Sequence, residues 1–164
     1  AVYYGARYPI TTVHQALLRL GSHELFNWIN LMLIKSVQNH DNAELVKTCI
    51  IRGRTLLRMG RELMGEANEC DFFIVGIFSS LDELLGRDMR SALEGLSLNP
   101  EPRAALLGEP NLLRACLDAV LALERADWPR LTSLLDGIGL PTRLFTDIYR
   151  NVLRWHLFIE ANAF

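Results

Sequence analysis

The sequence predicts an all-α protein, a compact multi-helix bundle, and three observations carry that expectation. Apolar residues recur at helical spacing along the chain, Gly and Pro fall between those runs as stops and starts, and no alternating run bounded by turn residues occurs. Half of the 164 residues are apolar, enough for one self-sufficient core, and neither a repeat nor a low-complexity linker divides the chain. A single domain over residues 1–164 is expected.

The elements follow in order. Thr12 and Gln15 have the form of a capping box, and Val13, Ala16, Leu17 and Leu20 then share one helical face until Gly21. Ser22 caps a second helix, in which Leu25, Trp28, Ile29, Met32 and Leu33 form an apolar stripe. Asp41 with Glu44 repeats the capping-box form and starts a long helix that stops at Gly65. Gly53 and Gly60 lie inside it, each costing about 1 kcal/mol against alanine. They share a face, so close approach of a neighbouring helix is favoured over room left for a ligand.

The stretch "DFFIVGIFSSLDELL", Asp71 to Leu85, is expected as one further helix, with Gly76 in the same crossing and Ser79 and Ser80 in its second half. Asn99-Pro100, Glu109-Pro110 and Asp127-Trp128-Pro129 have the form of three helix starts with Pro in the first turn. After Pro141, Leu144, Ile148, Val152, Trp155 and Ile159 trace a long amphipathic terminal helix.

Composition excludes several classes of function. Seventeen basic and nineteen acidic residues leave a formal charge of −2 without a long run of one sign, so nucleic acid is not the expected partner. The apolar stretch from Leu25 to Val37 is short and interrupted by Asn27, Asn30 and Lys35, and no cleavable signal opens the chain, so neither a membrane span nor export is expected. Cys49, Cys70 and Cys116 are widely spaced and form no C-x-x-C pair, the pattern of buried reduced thiols in a cytoplasmic protein. The opening "AVYYGARYPITT" has no initiator Met, as for a chain that begins within a longer protein.

Reactive chemistry has little foothold. None of His14, His23, His40 and His156 is expected to have a metal-ligand partner at i+3 or i+4 on its own helix, and the His40-Asp41 pair falls where Asp41 already has a capping role. His156 beside Trp155 has the setting of a partly exposed helix residue rather than a general base. "GIFSSLD" is not a nucleophile elbow, and no glycine-rich loop joins a strand to a helix. In "ALERADWPRL", Arg125 and Trp128 have the makings of a partner anchor, although a Trp closing the core at a helix corner is the favoured reading.

Several stretches together resemble the HDOD domain, a helical output module of bacterial signalling proteins related to HD-type phosphohydrolases, and most of all the modified HD-GYP form that follows an EAL domain. Ile10, Ala16, Leu20, Gly21 and Trp28 within "YPITTVHQALLRLGSHELFNWINLML" carry the first block. "IRGRTLLRMGREL", "FFIVGIFSSLDELL", "RAALLG" and "LALERADW" follow in the family's order. Related hydrolases have Gly-Leu-Leu-His-Asp-Ile-Gly where this chain has Gly76 to Asp82, which sets Ser79 and Ser80 at the metal-binding His-Asp. The resemblance also sets Arg52 at an upstream ligand histidine and Glu109 near a later His-Asp.

It therefore implies a vestigial site at Arg52, Ser79, Ser80 and Glu109 that holds no metal and no cofactor, because the groups that bind cations and lower the pKa of water are gone. It further implies a chain that lacks the family's first helices and any EAL domain, and that belongs with cyclic di-GMP signalling. The expected function is a catalytically inactive regulatory module acting through an attached upstream domain, a partner protein or a homodimer, with Trp28, Arg52, Arg54 and Trp128 as candidate contacts. Two alternatives stand beside it: a nucleotide or phosphate sensor built on Arg52, Ser79 and Ser80, and a metal-dependent phosphohydrolase using His40 and Asp41.

Overall fold

In a computed structural model, residues 40–66 and 69–162 are described. Eight helices span them: α1 (His40–Met64), α2 (Glu69–Ile77), α3 (Leu81–Leu85), α4 (Met89–Ala92), α5 (Pro100–Leu106), α6 (Leu112–Glu124), α7 (Trp128–Ile138) and α8 (Thr142–Asn162). No strand occurs among the described residues, so the all-α expectation holds. The two helices expected before residue 40, with the stripe that contains Trp28, lie outside the described residues. No helix among the described residues is long and apolar enough to cross a membrane.

The centre of the bundle is α2, "ECDFFIVGI", in which every residue except Asp71 is buried. A helix apolar on all sides must be covered on all sides. Here α1 runs along it, α5 and α6 pack on it from other directions, α8 lies against α1, and α7 covers α6. Leu56, Met59, Val75, Phe78, Leu81, Val120, Leu135 and Phe145 are among the side chains sealed between these layers.

The small residues of α1 and α2 set their distance. A Cβ built on Gly76 would stand 2.4 Å from both Cα and N of Gly53, and one on Gly60 would stand 2.5 Å from the Phe72 ring. Backbone meets backbone at the first point, so the shared face of Gly53 and Gly60 is a helix contact, with Gly76 in the same crossing.

Several boundaries differ from the sequence reading. The stretch from Asp71 to Leu85 is two helices, because the run breaks after Ile77. The Ser79 hydroxyl donates to Gly76 O at 2.7 Å, and Ser79 N reaches back to the same carbonyl at 3.3 Å. That carbonyl is the one the Ser80 amide would need to continue the α-helix. Helix α1 already includes His40, which puts Asp41 in its first turn rather than at its cap. Pro110 precedes the cap of α6, a role taken by Asn111, whose side chain accepts from Arg114 N at 2.8 Å. The one-turn helix α4, capped by Asp88, is too short to leave a periodic signal and was not expected.

Candidate functional site

The crossing at Gly53 and Gly76 delivers polar groups into the bundle. Arg52 precedes the contact glycine on α1, and its side chain reaches the broken end of α2. There Nη1 donates to Ser80 Oγ at 2.8 Å and to Ser79 Oγ at 3.1 Å. The other edge of the guanidinium meets a carboxylate from 72 residues further along: Nε donates to Glu124 Oε1 at 2.9 Å and Nη2 to Glu124 Oε2 at 2.7 Å. This is the two-pronged geometry for which a planar guanidinium is suited. Ser80 stands at the N-cap of α3 but makes no side-chain cap bond there.

The pair is well shielded, with 11% and 21% of the two side chains left exposed. Burial disfavours the Arg52 cation, but hydrogen bonds and charge from Glu124 outweigh it, and its pKa is raised. Burial pushes the nearby Cys49 thiol up as well, against the opposing pull of Arg52 and the two serines. Tyr149 of α8 is raised by burial first and then by the Glu124 charge. The network is saturated in the sense that matters for a buried polar cluster: among the described residues no buried side-chain nitrogen or oxygen lacks a partner.

Of the vestigial positions taken from the resemblance, the structure brings Arg52, Ser79 and Ser80 together. Glu109 is exposed in the connection between α5 and α6, held by its backbone N–H on Ala104 O, and its side chain takes no part in the network. The carboxylate that completes the cluster is Glu124. It lies within "LALERADW", where nothing in the sequence marks it, since a partner 72 positions away leaves no local signal.

The remaining candidates separate cleanly. Arg54 points away from Arg52 and lies over the Trp155 ring, 3.9 Å from its centroid, a cation–π contact that ties α1 to α8. Lys47 bonded to Glu160 at 2.8 Å adds a second tie between the same helices. His156 faces Glu160 at 3.5 Å, a partner one turn away that the sequence reading passed over. Trp128 is 57% exposed, so it does not close the core. Cys49, Cys70 and Cys116 are buried thiols that form no disulfide with one another. Among the described residues no three His, Cys, Asp or Glu side chains are arranged to hold a metal ion.

Comparison with known proteins gives distant relatives. No protein-family model and no solved structure matches the chain. It is 26% identical over 156 residues to the uncharacterized protein YuxH of Bacillus subtilis, a match covering 93% of this chain and 37% of the relative. It is 28% identical over 119 residues to the cyclic di-GMP phosphodiesterase CdgJ of Vibrio cholerae, covering 73% of this chain and 28% of the relative. The chain thus spans only about a third of the length of the curated relatives it matches.

Proposed function

We propose that this chain is a non-catalytic regulatory module of a bacterial cyclic di-GMP signalling protein, working through contacts with an attached domain or a partner protein. The observation that carries the reading is the bidentate Arg52–Glu124 pair fastened to Ser79 and Ser80. A fixed cation and two hydroxyls occupy the positions where the resemblance places the metal ligands of HD hydrolases. Such a group offers neither the imidazoles nor the free carboxylates that would hold two cations and lower the pKa of a bound water.

The match to CdgJ supports the signalling context, and it falls on a minor part of that phosphodiesterase. The HDOD resemblance supports the regulatory role. Three buried thiols without a disulfide among them fit the reducing cytoplasm. The anion-sensor alternative finds no support at this site, because a phosphate would have to displace Glu124 from both edges of its grip.

Elemental analysis for Mn, Fe, Mg and Zn on chain purified without chelator, run beside a cyclic di-GMP turnover assay, tests the proposal. The expected result is far less than one metal per chain and no turnover. Near-stoichiometric metal with turnover that a chelator abolishes would overturn it.

A further inference from the structure

At the end of α6 the chain turns through Arg125, Ala126 and Asp127 into α7. Ala126 takes φ 55°, the left-handed region that favours glycine, whereas the turn at the end of α7 places Gly139 there at φ 75°. Two bonds lock the corner, from Ala126 N to Leu123 O at 3.0 Å and from Asp127 N to Ala122 O at 2.9 Å. Asp127 then caps α7, accepting from Arg130 N at 3.2 Å, and Thr132 Oγ1 donates to Trp128 O at 3.0 Å. With Pro129 in the first turn, the backbone that carries Trp128 is fixed on both sides while the indole faces solvent. With the backbone beneath it already ordered, covering the indole costs side-chain rotamer freedom but no further loop ordering.

The surroundings have a sign. Next to the corner is a small cleft of about 100 Å³ whose charged lining is Arg114, Arg125 and Arg130 against Asp118 and Asp127. Arg114 is taken by Asp118 at 3.0 Å, and Asp127 is occupied as the cap of α7. The Arg125 and Arg130 side chains, both on exposed residues, have no hydrogen-bond or carboxylate partner among the described residues. In a chain of net charge −2, this corner is locally positive and carries two guanidinium groups with unspent donors.

We infer that the α6–α7 corner is a docking surface for a protein segment that carries carboxylates beside an apolar side chain. The apolar group packs on the Trp128 indole and the carboxylates pair with Arg125 and Arg130, the combination of Trp and Arg found at the energetic centres of interfaces. This deepens the regulatory reading by naming a contact face and the chemistry of its partner, and it rests on that reading only for the partner being a protein.

The probe is a fluorescein-labelled peptide of alternating glutamate and leucine, titrated with the chain and followed by anisotropy, with a lysine–leucine peptide and oligothymidine as controls. Saturable binding of the acidic peptide is expected, weakening with added salt. It should fall about tenfold in Trp128→Ala and again in the double variant Arg125→Glu, Arg130→Glu. All three positions are exposed, so thermal midpoints should stay within about 2 °C of the parent and separate lost contacts from lost fold. No saturable binding up to about 1 mM, equal binding by the variants, or oligothymidine binding as tightly as the acidic peptide would each sink the inference. None of these readouts involves metal or turnover, so failure here leaves the regulatory reading standing, and metal-dependent turnover would end that reading without touching the docking result.

Discussion

Glu124 and Arg125 are neighbours in sequence and belong to opposite kinds of polar surface. Glu124 turns inward and closes on Arg52, whose donors are already shared with Ser79 and Ser80. Arg125 turns outward beside Arg130 and Trp128, where neither guanidinium has a partner among the described residues and the indole is 57% exposed. The difference lies in what each arginine is asked to do. A buried cation must be satisfied within the fold, and Arg52 in doing so ties α1 to the α2–α3 break and to α6. An exposed one is solvated at little cost and stays available.

Breaking the inner region should have the largest effects. Gly76→Ala puts a methyl group onto the backbone of Gly53 and Arg52, where no side chain can rotate aside. Parting α1 from α2 should cost about 3 kcal/mol, read as a lower urea midpoint. A loss under about 0.5 kcal/mol would mean that the crossing is loose and that it does not position Arg52.

Next in size is Glu124→Ala, which leaves the shielded Arg52 cation without its counterion. A loss of about 2 kcal/mol is expected, below the figure for fully buried pairs because both side chains keep some solvent contact. The double variant Arg52→Met, Glu124→Ala should recover part of that loss, since no unpaired charge remains. Recovery sharpens the contrast between the saturated site and the open corner, whereas a double variant no better than the single would show that the ion pair contributes beyond mutual neutralisation.

The outer region should give the smallest effect and the opposite sign. Ala126→Gly removes the side chain from a left-handed position, so denaturant unfolding should show a gain of about 0.5–1 kcal/mol. A loss would mean that the alanine methyl group makes contacts that outweigh its backbone strain.

Much of this fold was legible because helices announce themselves locally. The spacing in "VKTCIIRGRTLLRMG", the caps at Asn99 and Asp127 and the stripe through Ile148 and Val152 are properties of a few consecutive residues, and the helices lie where these signals put them. The break at Ser79 was not legible, because it depends on a hydroxyl choosing a carbonyl over solvent, and a continuous helix is an equally regular reading of the same letters. The site was half legible. Family resemblance put Arg52, Ser79 and Ser80 in one place and the three are in contact, but the fourth member came from a remote helix end.

By itself the sequence determined the helices, the glycine face of α1 and the pairing of small residues that lets two backbones meet, since these follow from periodicity and from side-chain size. Only the tertiary structure decided which charge neutralises Arg52, that Arg54 is spent on Trp155, and that Trp128 is left outside the core. The physical reason is one of range. Hydrogen-bonded turns are settled within about four residues, whereas the partner of a buried charge is whichever group the packing of whole helices brings within 3 Å.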